Sequence, residues 1–271
     1  MEYNKGAHKG DFLDLLKTHD AEFQTKLSVA QTNGADHQLE MAEGTTVIAV
    51  RYKEGVLIGG DRRATAGTSI FYNRADKVLP IDEHSVLAIA GSPAIAYEMA
   101  RLLEHSFQYF RRSQLQELSV EGKLRMLSRL LRDNVPMALQ GIGGVIPIFA
   151  LYDVQGTEGE NGGKIFFYDA LGAHFESADF ATSGSGSVWI RGVLYHLNRW
   201  GETQLVDMDE QLATSTVLRL FDTASEYDAA TSGFNPKSKI FPTVKMITRD
   251  GIQDLPTEQL GEIYAESVDT D

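Results

Sequence analysis

Cysteine is missing altogether from this chain of 271 residues. Its absence excludes disulfide scaffolds, thiol nucleophiles, iron–sulfur clusters and zinc sites with cysteine ligands. Positive charge is also scarce, because 25 Lys and Arg stand against 38 Asp and Glu, which gives a net charge of −13. This balance argues against a nucleic-acid partner and against docking on anionic lipid, since both need a basic surface.

Long apolar runs are missing too. The longest run, residues 143–152, is about half the length of a membrane span. The residues before Gly44 lack the apolar stretch of a secretory signal. We therefore expect a cytoplasmic protein with no membrane partner.

The chain changes character at Gly44. Residues 1–43 are polar, and their one apolar cluster, within residues 12–16, would make only a short amphipathic turn. Residues 28–44 are typical of a linker. The patterned, foldable part of the chain therefore begins at Gly44.

Periodicity after Gly44 predicts strands and paired helices. The predicted strands are 45–52, 56–60, 86–90, 145–154, 164–170, 241–248 and 251–255, and the predicted helices are 93–112, 120–139, 188–200 and 210–230. Helices in consecutive pairs favour an α+β fold with antiparallel sheets over a doubly wound parallel sheet. Two sheets face to face, each covered by a helix pair, fit this order.

Several familiar motifs are approached but not met. Gly163-Lys164 lacks the earlier glycine of a phosphate-binding loop, because Glu158 stands there. The histidines after Gly44 are far apart in the sequence and form no zinc-ligand pattern.

One arrangement that carries chemistry remains at Gly44-Thr45-Thr46, directly before the first predicted strand. Cleavage after Gly44 would free the α-amine of Thr45, whose pKa is about 8. Such an amine can accept the proton of its own threonine hydroxyl. Gly44 has no side chain to hinder attack on its carbonyl carbon. A strand that begins Gly-Thr-Thr is common, however, so further residues are needed.

Those residues are Asp61 and Lys77. Asp61 follows the second strand, and a hairpin would bring it to the start of the first. A buried Asp61–Lys77 pair beside Thr45 would lower the pKa of the hydroxyl and neutralise an oxyanion. Gly91, at the end of a strand, would supply an N–H to that oxyanion. The alternatives are a surface salt bridge, which is worth little, and a simple turn glycine.

Taken together, these residues resemble the β-subunits of the 20S proteasome. The motifs in order are Gly44-Thr45-Thr46, GGDRRAT at 59–65, Lys77, and Ile-Ala-Gly at 89–91. GSGS at 184–187, DAATSG at 228–233 and Phe-Pro-Thr at 241–243 agree, the last as in the bacterial, actinobacterial-type subunits. The resemblance covers residues 44–264.

The resemblance implies an N-terminal-nucleophile hydrolase fold, a four-layer αββα sandwich with two antiparallel sheets flanked by helix pairs. It implies a propeptide at 1–44, removed by self-cleavage, and a threonine endopeptidase domain at 45–271. The residues carried over as catalytic are Thr45, Asp61, Lys77, Gly91, Ser185, Asp228 and Thr231, with Arg63 in support. Thr45 would be the nucleophile, Gly91 the oxyanion donor, and Ser185 and Asp228 would hold the amine and a catalytic water. Thr231 stands where the family often has serine, and Ser232 is the second candidate for that role.

The resemblance also implies a substrate site. Its pocket positions fall on Ala64, Ala75, Ile89 and Pro93, and the backbone of Thr65 and Gly91 would pair with the bound peptide. The pocket residues are uncharged and apolar, so we expect cleavage after hydrophobic residues. Pro93 departs from the pattern, because it has no N–H to offer the bound peptide.

Finally, the resemblance implies assembly. Seven-fold β rings would stack between seven-fold α rings and work with an ATP-driven unfoldase on tagged, unfolded proteins. Neither a cofactor nor a metal is implied. Apolar helix faces around Phe107, Tyr109 and Trp200 are either ring contacts or monomer core. Two alternatives stay open: a non-catalytic ring subunit, and the simpler two-ring peptidase, which usually has Gly-Asp-Gly-Gln where this chain has Gly-Asp-Arg-Arg at 60–63.

Overall fold

The computed structural model describes residues 44–66, 69–141, 143–156, 161–177, 179–235 and 237–267. The predicted amphipathic turn at 12–16 and the linker before Gly44 lie outside this part of the chain. Across the described ranges, no helix is both long enough and apolar enough to cross a membrane.

The first sheet has five antiparallel strands. The strand that comes first in the chain starts one residue after Thr45, the predicted nucleophile. Its strands are β1 (Thr46–Tyr52), β2 (Gly55–Gly60), β10 (Phe180–Gly184), β11 (Thr243–Thr248) and β12 (Gly251–Asp254). Their order across the sheet is β10-β1-β2-β11-β12. The β1–β2 hairpin pairs Val47 with Gly60, so the end of β2 lies beside the start of β1.

The second sheet also has five antiparallel strands. They are β5 (Val78–Asp82), β6 (Ser85–Ala88), β7 (Ile148–Tyr152), β8 (Gly163–Tyr168) and β9 (His174–Ser177), paired in that order. A separate two-stranded ribbon joins β3 (Ala64–Ala66) to β4 (Ser69–Tyr72). This ribbon follows directly on the loop that carries Asp61.

Five α-helices are described: α1 (Pro93–Gln114), α2 (Val120–Leu139), α3 (Ser187–Trp200), α4 (Glu210–Tyr227) and α5 (Thr257–Ser267). Two of them begin at capping side chains. Ser119 accepts the Gly122 N–H before α2, and Asp209 accepts the Leu212 N–H before α4. A short 3₁₀ helix, Leu205–Asp207, lies between α3 and α4.

Three apolar clusters separate four layers. One cluster packs the first sheet against α3, α4 and α5, and includes Leu57, Leu194 and Phe221. A second packs the other sheet against α1 and α2, through residues such as Leu103 and Leu127. The third lies between the two sheets and is built mostly from Val, Ile and Ala. The predicted αββα sandwich is thereby confirmed.

The structure adds elements that periodicity did not predict. Five strands were not predicted: β3, β4, β5, β9 and β10. Of these, β3, β4 and β9 have three or four residues each, which is too short for an alternating pattern to stand out. The helix α5 buries only Leu260 and Ile263, so its apolar stripe is weak. It makes the helical cover of the first sheet three helices rather than a pair.

The structure separates the three aromatic residues that we considered as ring contacts. Phe107 is buried in the cluster between α1, α2 and the second sheet. Tyr109 and Trp200 are 75% and 64% exposed. Phe107 is therefore monomer core, whereas the other two are available to a partner.

Candidate active site

Thr45 lies at the start of β1 with its peptide bond to Gly44 intact. Its hydroxyl donates a hydrogen bond to the Gly44 carbonyl oxygen over 2.7 Å. Both residues are buried. A Cβ at Gly44 would lie 2.5 Å from the Thr65 hydroxyl and 2.6 Å from the Ala230 side chain, so this position has room only for glycine.

Asp61 follows β2, and strand pairing places it against Thr46. The Asp61 N–H donates to the Thr46 carbonyl at 3.0 Å, and the Thr46 N–H returns a bond to Asp61 Oδ1 at 2.7 Å. Asp61 Oδ2 accepts the N–H groups of Arg63 and Ser232 at 2.9 and 3.2 Å. These donors fix a carboxylate that has no exposed surface.

Lys77 comes directly before β5 in the second sheet, and it reaches across to the first. Its Nζ donates to Asp61 Oδ1 at 2.6 Å, to the Gly44 carbonyl at 2.9 Å and to the Arg63 carbonyl at 2.5 Å. An ammonium has three protons, and these acceptors use all of them. The predicted Asp61–Lys77 pair therefore forms, and it is buried rather than a surface salt bridge.

Burial acts on the charges of this pair. It lowers the pKa of the Lys77 ammonium from its usual range, and the facing Asp61 carboxylate opposes that shift. Burial likewise raises the pKa of the Asp61 carboxyl, against the effect of Lys77 and of the backbone donors. Each group thus depends on the other to keep its charge.

A second hydrogen-bonded cluster, centred on the Asp228 carboxylate, also contacts Thr45. Asp228 follows α4, and its Oδ2 accepts the hydroxyls of Ser185 and Thr231, each at 2.6 Å. The Ser185 N–H donates to the Thr45 carbonyl at 2.8 Å. The Thr231 hydroxyl also lies 2.5 Å from the hydroxyl of Thr46. The cluster therefore holds both Thr45 and its neighbour in the chain.

Arg63 connects the two carboxylate clusters. Its guanidinium Nη1 donates to the carbonyls of Ala229 and Thr231 at 2.7 and 3.0 Å. Its backbone contacts the other cluster: the Arg63 N–H donates to the Asp61 carboxylate, and the Arg63 carbonyl accepts a hydrogen bond from the Lys77 ammonium. One residue thus ties the loop after β2 to the loop after α4.

Gly91 lies in a left-handed conformation, with φ at +105°. A Cβ there would lie 2.1 Å from the Gly144 carbonyl oxygen, so only glycine fits. Gly91 forms an isolated bridge with Val145, but the hydrogen bonds of that bridge use the Ser92 N–H and the Ala90 carbonyl. The strand contact therefore does not use the Gly91 N–H, which is the group proposed for the oxyanion.

A cavity of about 600 Å³ opens beside the β3–β4 ribbon and the start of α1. Three predicted substrate residues, Ala64, Ala75 and Pro93, line it. Three aromatic residues that sequence reasoning missed line it too: Phe71, Tyr72 and Tyr97. Tyr97 lies one helical turn after Pro93 on α1, and that spacing is the signal that could have identified it.

The other two substrate positions lie elsewhere. Ile89 is buried in the core cluster between the second sheet and α1 and α2. Thr65 is buried near Gly44, and its hydroxyl limits the space there. Pro93 is the first residue of α1, where a helix leaves its N–H unpaired in any case, so the fold tolerates the missing donor.

Thr46 was not assigned a role from the sequence, whereas Ser232 was the second candidate for the role of Thr231. Thr46 links the two carboxylates through its backbone and its hydroxyl. The Ser232 N–H donates to the Asp61 carboxylate, and the Ser232 hydroxyl oxygen accepts the Arg62 N–H. The Thr231 hydroxyl instead donates to the Asp228 carboxylate. The two adjacent hydroxyls thus belong to different carboxylates.

One cluster of potential metal ligands occurs among the described residues. Glu83, His84 and Glu117 bring ligand atoms within 4.8 Å of one another. Arg111 already pairs with Glu83 at 2.9 Å, so a cation is in place without a metal. The cluster joins the β5–β6 turn to the α1–α2 connection and shares no residue with the site around Thr45.

Comparison with known proteins identifies the family of the chain. Residues 41–235 match the sequence model of the family described as "Proteasome subunit". "Proteasome subunit beta 2" of Thermomonospora curvata is 39% identical over 238 residues, which cover 88% of this chain and 81% of the relative. "Proteasome subunit beta" of Acidothermus cellulolyticus is 37% identical over 84% of this chain and 77% of its own length. The same-named protein of Streptomyces griseus is 36% identical, over 93% and 85%. The chain belongs to the proteasome subunit family, among its bacterial β-type members.

Proposed function

We propose that this chain is a threonine endopeptidase subunit of a proteasome core, processed by its own Thr45. The observation that carries the proposal is that two hydrogen-bond donors meet at one atom, the Gly44 carbonyl oxygen. The Thr45 hydroxyl and the Lys77 ammonium both donate to the Gly44 carbonyl oxygen, beside the buried Asp61. A polarised carbonyl next to a hydroxyl suits acyl transfer.

Processing would begin with attack of Thr45 Oγ1 on the Gly44 carbonyl carbon. The C–N bond to Thr45 breaks, the hydroxyl proton moves to the departing nitrogen, and an ester joins Gly44 to the threonine oxygen. Water then hydrolyses the ester, which releases the Gly44 carboxylate and leaves Thr45 with a free α-amine. Lys77 stabilises the charge on the carbonyl oxygen throughout.

After processing, the freed α-amine would act as the general base for Thr45. Its ordinary pKa of about 8 leaves a useful fraction neutral at cellular pH. Oγ1 attacks the substrate carbonyl, the Gly91 N–H and Lys77 stabilise the oxyanion, and the amine returns the proton to the leaving nitrogen. Ser185 and Asp228 keep the amine and the hydrolytic water in place.

Substrate preference would follow from the cavity lined by Ala64, Ala75 and Pro93. Most of its lining residues are aromatic or aliphatic, although Arg74, Asp76 and Ser92 also line it, and 600 Å³ accommodates a large side chain. Burial against mainly apolar walls favours an apolar side chain over a charged one. Cleavage after hydrophobic residues is the expected specificity.

The family membership supports assembly with α-type subunits. We propose seven-fold β rings between seven-fold α rings, in the cytoplasm, supplied with unfolded and tagged proteins by an ATP-driven unfoldase. Tyr109 and Trp200 are exposed aromatic residues that such rings could cover. The α₇β₇β₇α₇ arrangement keeps the active sites away from folded proteins.

The main alternative is a non-catalytic ring subunit. A buried lysine–aspartate pair is costly to desolvate, and a catalytic role would account for one beside Thr45. Here that pair faces a threonine hydroxyl at the chain position where cleavage would free an amine. The two-ring peptidase is disfavoured by the identity to proteins named proteasome subunit beta.

The test is the intact mass and N-terminal sequence of the full chain after co-expression with its α-subunit. A mature chain that begins Thr45-Thr46-Val47 is the expected result. An uncut chain in assembled particles would favour the non-catalytic subunit. A cut at another bond would show that Thr45 is not the nucleophile.

A further inference from the structure

We propose that Thr46 is a positioning residue, whose hydroxyl holds the nucleophile in register with the Asp228 cluster. The inference rests on the proposed function, because it concerns the reaction of Thr45. It is carried by a continuous chain of hydrogen bonds through buried side chains. Thr46 and Thr231 are both fully buried.

The protons along this chain can be assigned. The Gly186 N–H donates to the Thr46 hydroxyl oxygen at 3.0 Å. The Thr231 hydroxyl gives its proton to Asp228, because a carboxylate only accepts. The Thr46 proton must therefore point to Thr231, over 2.5 Å. The order is Gly186 N–H, Thr46 hydroxyl, Thr231 hydroxyl and Asp228 carboxylate.

The other end of Thr46 is fixed by Asp61. The Thr46 N–H and carbonyl form a reciprocal pair with the Asp61 carboxylate and N–H. Among the residues that the structure describes, Thr46 ties β1 to both acidic groups of the site. The Thr46 backbone fixes the start of β1 relative to Asp61, and the Thr46 hydroxyl fixes it relative to Asp228 through Thr231.

This tether matters most after cleavage. Thr45 would then be a chain terminus, and chain ends fray unless they are held. The Thr45 carbonyl would still accept the Ser185 N–H, and the peptide bond to Thr46 would otherwise fix the position of Thr45. A shift of about 1 Å in a reacting group can cost about a hundredfold in rate. Loss of the Thr46 hydroxyl should therefore lower turnover rather than substrate binding.

The experiment compares T46V with T46S in the full chain assembled with its α-subunit. Valine keeps the shape and removes the hydroxyl, whereas serine keeps the hydroxyl. We measure kcat and KM on a fluorogenic peptide with an apolar residue before the cut, per processed site counted by intact mass. T46V should lower kcat about tenfold or more, with KM changed by less than about twofold. T46S should restore most of the turnover.

A matched control is Thr214, a fully buried threonine of α4 whose hydroxyl bonds only to the Glu210 carbonyl among the interactions described. T214V should leave kcat and KM unchanged. T231V breaks the same chain at the next link, so the double variant T46V/T231V should lose no more than the worse single variant. If T46V does not assemble, T46A removes the same hydroxyl and carries the comparison with T46S.

The outcomes separate the inference from the function. T46V with the turnover of the unaltered chain would overturn the positioning role alone. Equal losses in T46V and T46S would also overturn it, because the hydroxyl would then be irrelevant. An unaltered chain no more active than T45A would overturn the proposed function, and the inference with it.

Discussion

Thr45 Oγ1 and Lys77 Nζ donate to the same atom, the Gly44 carbonyl oxygen, over 2.7 and 2.9 Å. The first residue belongs to the start of one sheet, and the second reaches over from the other sheet. The αββα sandwich therefore does more than bury apolar surface, because it brings the reactants together across the interface between its sheets. A cation on the carbonyl oxygen and a hydroxyl beside it are the two requirements of the proposed self-cleavage.

Removal of the hydroxyl tests this geometry first. T45A should abolish both processing and peptide hydrolysis, because no other group can attack from that position. The fold should persist, since Thr45 precedes β1 and its hydroxyl bonds to the carbonyl of the adjacent residue, Gly44. Intact mass and a fluorogenic peptide assay check the two activities, with T45S as the variant that retains a hydroxyl. Peptidase activity in T45A equal to that of the unaltered chain would contradict the assignment.

Gly44 offers a steric test of processing. G44A would push a Cβ to 2.5 Å from the Thr65 hydroxyl and 2.6 Å from Ala230, so the carbonyl must move. We expect processing to slow by about a hundredfold, because roughly 1 Å of displacement takes the carbonyl away from Thr45 and Lys77. The measurement is a time course of the uncut chain by intact mass.

The control for that experiment is Gly192 in α3, where an added Cβ meets no atom within 4 Å. G192A should process at the normal rate and stabilise the helix by about 0.5–1 kcal/mol, since alanine loses less entropy than glycine. Equal processing in G44A and the unaltered chain would mean that Gly44 is not constrained by its surroundings.

The buried pair predicts a dependence of stability on pH. D61N removes the counter-charge of Lys77, and the pKa of the ammonium, already lowered by burial, should fall further. The unfolded chain then binds more protons than the folded one between the folded and unfolded pKa values of Lys77, so the stability of D61N rises with pH there. An uncompensated buried charge costs about 3–5 kcal/mol.

Thermal midpoints at pH 7 and pH 9.5 measure this effect. The deficit of D61N relative to the unaltered chain should shrink at the higher pH. E121Q breaks the exposed Glu121–Arg125 pair on α2 and serves as the control. It should change stability by less than about 1 kcal/mol at either pH. A deficit of D61N that is constant with pH would show that Lys77 does not titrate as proposed.

The helix α2 shows what could be predicted from sequence. Residues 120–139 were predicted, and the structure has Val120–Leu139, because Ser119 caps a stripe of leucines. The β1–β2 hairpin and its meeting with Asp61 follow from the same local signals. By contrast, β4 is exposed along its whole length and does not alternate apolar with polar residues, so its strand-favouring Ile, Phe and Tyr did not mark it as a strand.

The site likewise combines residues that could be predicted from the sequence with contacts that only the structure shows. Thr45 and Asp61 flank the β1–β2 hairpin and Lys77 follows within 16 residues of Asp61, so reasoning from neighbouring segments of the sequence reached them. The contact of Thr46 with Thr231 spans 185 residues, and only the tertiary fold brings those hydroxyls together. Asp228, Thr231 and Ser185 were identified through the family resemblance, and their mutual hydrogen bonds required the structure.

The substrate cavity gives the last prediction. Ala75 lines the cavity together with Tyr97 and Pro93, and A75F would fill part of its 600 Å³. We expect kcat/KM to fall about tenfold or more for peptides with Phe or Leu before the cut, because even one methylene in an apolar pocket is worth about 1–3 kcal/mol. Peptides with Ala there should be affected by less than about threefold. Ala265 is exposed on α5, so A265F is the control and should leave both peptides unchanged. Equal losses for large and small residues would show that the cavity does not hold the side chain before the cut.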